Sequence, residues 1–285
     1  MRMGDRDAVR RKTGGGKGAE DRPRIWMGYG KLVKHFRELT GLKQTELADA
    51  IGYSVEQVAS IEQGRRPAKI AFTEATERVL NAGGALRVLQ EDVDLARLPL
   101  FFQDFAVIEA EAVSHFSYDP LLIPGLLQTE GYARALISGH CPPRSDEIIE
   151  RHVEARLDRQ RLLTREPSTA LCFVIGEAAL RNAIGGADVM RAAFRRILEV
   201  GDLRNVEVQV MPIAGEVHPG LDGPMVFLET MEHQHVGYIE SQEVGVVITD
   251  PAVVSAFGLR CGKLRSRALN VAESARLIEQ LAGEQ

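Results

Sequence analysis

The sequence predicts a multidomain protein in which an all-α domain is followed by a mixed α+β domain, a sheet covered by helices. Three observations carry that expectation. The chain has 285 residues, more than one average domain and too few for three. From Tyr29 to roughly Leu89 apolar residues recur at helical spacing. After Pro99 short Val- and Ile-rich segments alternate with helical ones. The expected boundaries are 1–26 for a basic extension without packed structure, 27–98 for the helical domain with its trailing helices, and 99–285 for the α+β domain.

The elements follow in order. Residues 1–26, with Arg10-Arg11-Lys12 and Gly14-Gly15-Gly16, have almost no apolar content, which suits an unstructured extension or a start site upstream of Met27. Leu32, Val33, Phe36 and Leu39 mark a first helix, stopped by Gly41. Leu47, Ala48 and Ile51 form the inner face of a short second helix ended by Gly52. A third runs from Ser54, a good N-cap, to Gln63, with Val58 and Ile61 inward and Gly64 as terminator. Ser54 and Gln57 have capping-box spacing, at which the two side chains satisfy each other's orphan backbone donors. Phe72–Leu80 and Ala85–Leu95 supply further helices.

In the second domain, Leu171–Ile175, Val206–Met211, Met225–Leu228, Val236–Ile239 and Val244–Ile248 read as strands. Glu147–Leu163 and Val189–Val200 read as amphipathic helices, and Ser255–Leu281 as one or two more. Pro124-Gly125 breaks the chain, and a helix from Leu126 to Ile137 then buries Leu127, Tyr132 and Leu136.

Net charge is −5 but unevenly placed. Residues 1–70 hold 15 Lys/Arg against 9 Asp/Glu, and the remainder 20 against 31, so one module faces phosphate and the other something else. No apolar run is long enough to span a bilayer and residues 1–24 lack the apolar centre of a secretory signal, so a cytoplasmic protein without membrane contact is expected. Cys141, Cys172 and Cys261 are far apart with no Cys-x-x-Cys pair, which points to idle thiols and to neither metal nor redox cofactor.

The strongest local signal runs from Gln44 to Pro67. Small Ala48 lets two helices cross closely, Gly52 permits the tight turn, and Leu47, Val58 and Ile61 hold the second helix of the pair at its angle. These residues resemble the lambda-repressor-like helix-turn-helix family, often called the Xre family. The resemblance implies double-stranded DNA as partner, with Gln44 contacting phosphate at a positive helix terminus. It places Val55, Glu56 and Ser60 where the family reads bases, and Thr45, Ser54 and Gln57 beside them. Arg65, Arg66 and Lys69 would grip backbone and fix register. Lys43 departs from the family's usual capping Ser, so a frayed second helix is expected. Since none of the reading positions is an arginine able to fork onto guanine, one site should bind weakly, and a homodimer on a two-fold operator is expected.

Pro124-Gly-Leu-Leu-Gln-Thr-Glu-Gly-Tyr-Ala-Arg134, with Glu109, Ala112, Arg156, Arg159-Gln160, Glu177-Ala-Ala-Leu180, Gly185-Gly186 and Ala272–Ile278, resembles the C-terminal domain of actinobacterial WhiJ-like and antitoxin-like regulators. That resemblance implies a transcriptional regulator whose second domain senses a ligand or a small protein encoded nearby. An antitoxin-like protein that neutralises such a partner and regulates its own operon is the alternative. In that family an Asp usually precedes the residue matching Glu177, where this chain has Gly176. The apolar stripe of the motif reads as packing in preference to a ligand site. Glu109, Glu111, Glu177, Glu229 and Glu240 are expected in strands or at strand ends, solvated or paired with Arg, and no nucleophile elbow or phosphate loop accompanies them, so no enzyme is expected. His233-Gln-His235 reads as a surface turn and not a metal site.

Overall fold

The helical spacing of the first third is realised as six helices. The computed structural model describes residues 23–213 and 217–284. It divides between Val93 and Asp94 into two compact units.

The first unit contains α1 (Arg24–Leu39), α2 (Gln44–Ile51), α3 (Val55–Glu62), α4 (Ile70–Leu80) and α5 (Ala85–Val88), and ends within α6 (Gln90–Leu95). Helix α1 begins inside the stretch 1–26 for which composition predicts no packed structure. Trp26 is buried, and its Nε1 donates to the Val93 carbonyl at 3.0 Å, so one aromatic residue ties the start of α1 to the end of the unit. The rest of that expectation, residues 1–22, lies outside the described residues.

Leu47, Ala48, Val58 and Ile61 form the inner faces of α2 and α3, as their spacing predicts. Gly52 at φ +74° turns the chain between these helices, and Gly64 at φ +62° ends α3. Close approach of α1 to α3 depends on Gly30, where an added Cβ would meet the carbonyl oxygens of Ile61 and Glu62 at 2.2 and 2.6 Å. Glu77, buried on α4, accepts the backbone N–H groups of Gly84, Leu86 and Arg87 and thereby caps α5.

The second unit is built on a six-stranded sheet in the order β3-β2-β1-β4-β5-β6. Its strands are β1 (Ser114–Asp119), β2 (Ala170–Gly176), β3 (Val206–Met211), β4 (Met225–Glu229), β5 (His235–Ser241) and β6 (Val244–Ile248). The first three are parallel, and the step from β1 to β4 begins an antiparallel half. Its helices are α7 (Leu100–Glu111), α8 (Glu130–Ser138), α9 (Asp146–Arg159), α10 (Glu177–Arg181), α11 (Ala187–Gly201), α12 (Pro251–Arg267) and α13 (Val271–Glu284).

On one sheet face Leu171, Phe173 and Ile175 of β2 and Val206, Val208 and Val210 of β3 pack with Met190, Phe194 and Ile197 of α11 and with Ile278 and Leu281 of α13. Further along the same face Leu228, Val236 and Tyr238 pack with Phe105 of α7. The opposite face, with Phe116, Tyr118, Val174 and Met225, is covered by Phe257, Cys261 and Leu264 of α12. All three cysteines are free thiols, and burial pushes Cys172 up to about 11 and Cys261 up to about 12.

Three features differ from the sequence expectations, and a fourth explains a residue that the sequence singles out. Strand β1 alternates polar and apolar residues in Ser-His-Phe-Ser-Tyr-Asp and carries no Val or Ile. Glu109 and Glu111, expected in strand-like segments, lie on helix α7. The single helix expected from Leu126 to Ile137 is broken into a 3-10 turn at Gly125–Leu127 and α8, because Thr129 accepts the Tyr132 N–H and starts a new helix. Gly176, just before Glu177, sits so close to Pro120 that a Cβ would lie 2.4 Å from its carbonyl oxygen. Only glycine fits that backbone.

Gly30→Ala forces the α1–α3 contact apart and should cost about 1–3 kcal/mol or more of stability. Denaturant unfolding of the variant against wild type measures it, and an unchanged midpoint would contradict the close approach.

Candidate nucleic-acid interface and a polar cavity

In the first unit the turn between α2 and α3 is held from inside by a shared carboxylate. Glu62, at the end of α3, accepts Arg37 Nε at 2.6 Å and Nη2 at 3.1 Å, and it accepts Gln44 Nε2 at 2.7 Å. Arg37 also donates to the Leu42 carbonyl at 2.8 Å. Arg37 and Glu62 are both buried, and the hydrogen bond from Arg37 to Glu62 raises the guanidinium pKa against the opposing effect of burial. One carboxylate thus fastens α1, the loop after it, and the first residue of α2.

Gln44, named from sequence as a phosphate contact, therefore has its side-chain amide oriented by Glu62, and its backbone N–H stands with that of Thr45 at the open N-terminus of α2. Against the frayed start expected from Lys43, α2 begins directly after it at Gln44. Lys43 has no side-chain acceptor, but its backbone N–H donates to Glu46 at 2.6 Å, so the helix start is fixed from the other direction. At the head of α3 both capping-box bonds are present, Gln57 N–H to Ser54 Oγ at 3.2 Å and Ser54 N–H to Gln57 Oε1 at 3.1 Å.

Thr45, Ser54, Glu56, Gln57, Arg65, Arg66 and Lys69 are exposed, and Gln44, Val55 and Ser60 are half-buried. On α3, Glu56 and Ser60 lie opposite the buried face of Val58, Ile61 and Glu62, while Val55 and Gln57 flank that outer row. Gly64 reverses the chain, and the Arg65 N–H donates back to the Ser60 carbonyl at 2.8 Å, which brings Arg65 and Arg66 directly after the exposed end of α3. Sequence reading did not single out two residues that border this surface. Gln63 is exposed on the outer row, and Lys43 is exposed beside the open amides of α2. It also missed Arg37 and Glu62, whose signal is a charged residue on the inward side of each helix.

In the second unit β1 is the feature that sets up a site. His115 pairs in register with Leu171, Ser117 with Phe173 and Asp119 with Ile175, so these three polar residues occupy the face that their neighbours fill with apolar ones. They form the floor of a cavity of about 810 Å³. Three separate stretches of the chain, around Glu109, Pro124–Gln128 and Arg156–Gln160, converge on it. Arg159 of α9 donates to Glu109 of α7 through Nε at 2.8 Å and Nη2 at 3.1 Å, and His115 Nε2 lies 3.3 Å from the same carboxylate. Gln128 of the Pro124–Arg134 motif donates to the Ile123 carbonyl at 2.7 Å and accepts Arg156 Nη1 at 2.8 Å. Gln160 donates to the Gln128 carbonyl at 2.6 Å.

Two carboxylates in this cavity titrate in opposite directions. Burial alone would raise Glu109, but Arg159 and then His115 outweigh it and hold the group down at about 2. For Asp119 burial prevails: the Ser117 hydroxyl and His115 oppose it, Glu240 adds repulsion, and the carboxyl is pushed up to about 6. Burial, followed by the charge of Glu240 and the hydrogen bond to it, raises Tyr238 well above the usual phenol range. Burial and neighbouring Arg159 lower Arg156 to about 10, which leaves it protonated at neutral pH.

Three more of the carboxylates read from sequence are paired in place, while Glu111 is exposed at the end of α7. Glu177 accepts the Ile213 N–H at 3.0 Å and Arg181 at 2.7 Å, Glu229 meets His233 at 2.7 Å, and Glu240 accepts the Tyr238 hydroxyl at 3.0 Å. His233 lies in the turn between β4 and β5 at φ +59°. Among the described residues no group of three or more His, Cys, Asp or Glu is placed to hold a metal, and no helix is long and apolar enough to cross a membrane.

Residues 29–90 match the helix-turn-helix domain family, so the first unit is a helix-turn-helix domain of the DNA-binding kind. Residues 102–280 match the domain of unknown function DUF5753, and since that match spans more than half of the chain, the chain belongs to this family. No curated protein and no solved structure matches the chain.

Arg37→Ala leaves Glu62 buried without its guanidinium and should destabilise the domain by about 3–5 kcal/mol, measured by chemical denaturation. Asp119 binds its proton more tightly folded than unfolded, so its ionisation costs stability as pH rises from about 4 to about 6 and the full cost persists above that. Asp119→Asn removes this cost. Its stability relative to wild type should therefore increase across that window and then level off, whereas a flat difference would refute the raised pKa.

Proposed function

We propose that the chain is a sequence-specific DNA-binding transcriptional regulator that lays α3 in the major groove and clamps phosphate with the N-terminus of α2. The single observation that supports this most is the exposed row itself. Helix α2 offers open backbone amides at Gln44 and Thr45, α3 offers Glu56 and Ser60 with Val55 and Gln57 at its flanks, and Arg65 and Arg66 follow without a side-chain hydrogen bond or ion pair among the described residues. Glu56 would accept from cytosine N4, Val55 would pack on a thymine methyl, and Ser60 would donate or accept. Arg65, Arg66 and Lys69 would hold the backbone. Ser54 and Gln57 place the first turn of α3 through their cap.

These base contacts are weaker than a guanidinium fork on guanine, so useful affinity would come from two copies on a two-fold operator. The second domain would exert control through a ligand or a small protein. Its acidic balance, 18 Lys/Arg against 27 Asp/Glu from Asp94 onward, suits a basic protein partner, and native co-purification identifies it.

Selection of bound sequences from a random duplex pool should return a symmetric motif whose half-sites lie about 10 base pairs apart, or a multiple of that. Arg66→Ala should weaken every sequence alike and reduce the salt slope by about 1, while Ser60→Ala should relax preference at one position per half-site. The assignment fails if the two variants act alike, or if a folded protein at low salt enriches no motif.

A further inference from the structure

The polar cavity holds hydrogen-bonding groups that the protein does not use. Arg159 is committed to Glu109, and its guanidinium lies 4.4 Å over the Phe102 ring. Arg156 gives one N–H to Gln128, and its remaining donors meet no acceptor among the described residues; it forms no ion pair with either nearby carboxylate. Asp119 accepts the Ser117 hydroxyl on Oδ2 at 2.8 Å, leaving Oδ1 without a donor. Glu240, exposed at the mouth, receives the Tyr238 hydroxyl on Oε2 and nothing on Oε1. His115 lines the cavity at 4 % exposure with its Nδ1 unpartnered. A buried polar atom without a partner costs free energy unless a ligand or water supplies one.

The cavity has the size of a small-molecule site, within the usual range of roughly 300–1,000 Å³. Phe102, Phe105 and Phe173 give it apolar walls beside the polar floor. Position in the fold agrees with this. The floor runs along β1 to its C-terminal end at Asp119, on the strand where the parallel half of the sheet meets the antiparallel half. Burial, with a smaller repulsion from Glu240, makes Asp119 a carboxylate that a cation would stabilise, and Arg156 is a cation that an anion would stabilise.

We propose that this cavity binds a small zwitterionic organic molecule, its amine held by Asp119 and Glu240, its anionic group by Arg156, and its apolar body against the phenylalanines. A zwitterion satisfies both unused charges at once, whereas a simple anion or a simple amine leaves one of these half-buried groups without a countercharge. The binding site lies wholly within the second domain and is read without DNA, so its failure and the failure of DNA recognition are separate results.

Titration calorimetry and thermal shift on the full chain test it, using a panel of aromatic and aliphatic amino acids, each beside its N-acetyl and its amide derivative. At least one amino acid should bind and raise the melting temperature. Removing either charge from it should weaken binding about tenfold or more, and Asp119→Asn and Arg156→Gln should do the same with wild-type circular dichroism. Should Asp119→Asn not fold, Glu240→Gln at the exposed mouth carries the same expectation. Absence of binding across the panel, derivatives that bind as well as their parents, or folded variants that bind like wild type would each overturn the proposal.

Discussion

The carboxylate of Glu62 is the point on which the first domain turns. A buried carboxylate is expensive unless every lone pair finds a donor, and here Arg37 supplies two and Gln44 a third. Because those donors come from α1 and from the first residue of α2, satisfying one charge fixes three helices against one another. The outer row of α3 and the open amides of α2 then stand in a set relation that the apolar contacts of Leu47, Val58 and Ile61 alone would leave less specific. Gly30 permits the closeness, since any larger residue would strike the Ile61 and Glu62 carbonyls.

The second domain solves a related problem differently. Its central strand brings His115, Ser117 and Asp119 to a face that is otherwise apolar, and Glu109 with Arg159 neutralises only part of that row. Asp119 is left with a raised pKa, and Arg156 with unused donors. The two domains therefore differ in kind. In the first, buried charge is closed off and serves position. In the second, it remains partly open and faces a cavity.

Much of this was legible in the sequence. Most helices of the first domain follow from apolar spacing, capping residues and the glycines at 41, 52 and 64, all of which act locally, but the one helix expected over Ala85–Leu95 is divided at Leu89 into α5 and α6. Most strands of the second domain announce themselves through Val and Ile. Strand β1 does not, because its polar alternation serves a cavity and resembles a surface segment until its partners are known. For the same reason the pieces Glu109, Arg156, Arg159-Gln160 and Pro124–Gln128 were visible as separate stretches, whereas their convergence depends on chain crossings that spacing does not encode. The apolar stripe of the Pro124–Arg134 motif does pack, through Leu126, Leu127 and Tyr132. Its Gln128 turns to the cavity instead. Lys43 shows the opposite limit: a poor cap by residue type is rescued by Glu46 three positions on.

The central claim is that the α2 terminus and the outer face of α3 form the DNA-contacting surface. Amide hydrogen exchange of the full chain, with and without a duplex recovered by selection, tests this most directly. Protection should appear at the amides of Gln44 and Thr45 and along Ser54 to Arg66, with strands β1 to β6 unchanged. Protection confined to the sheet domain, with α2 and α3 unaltered, would contradict the account.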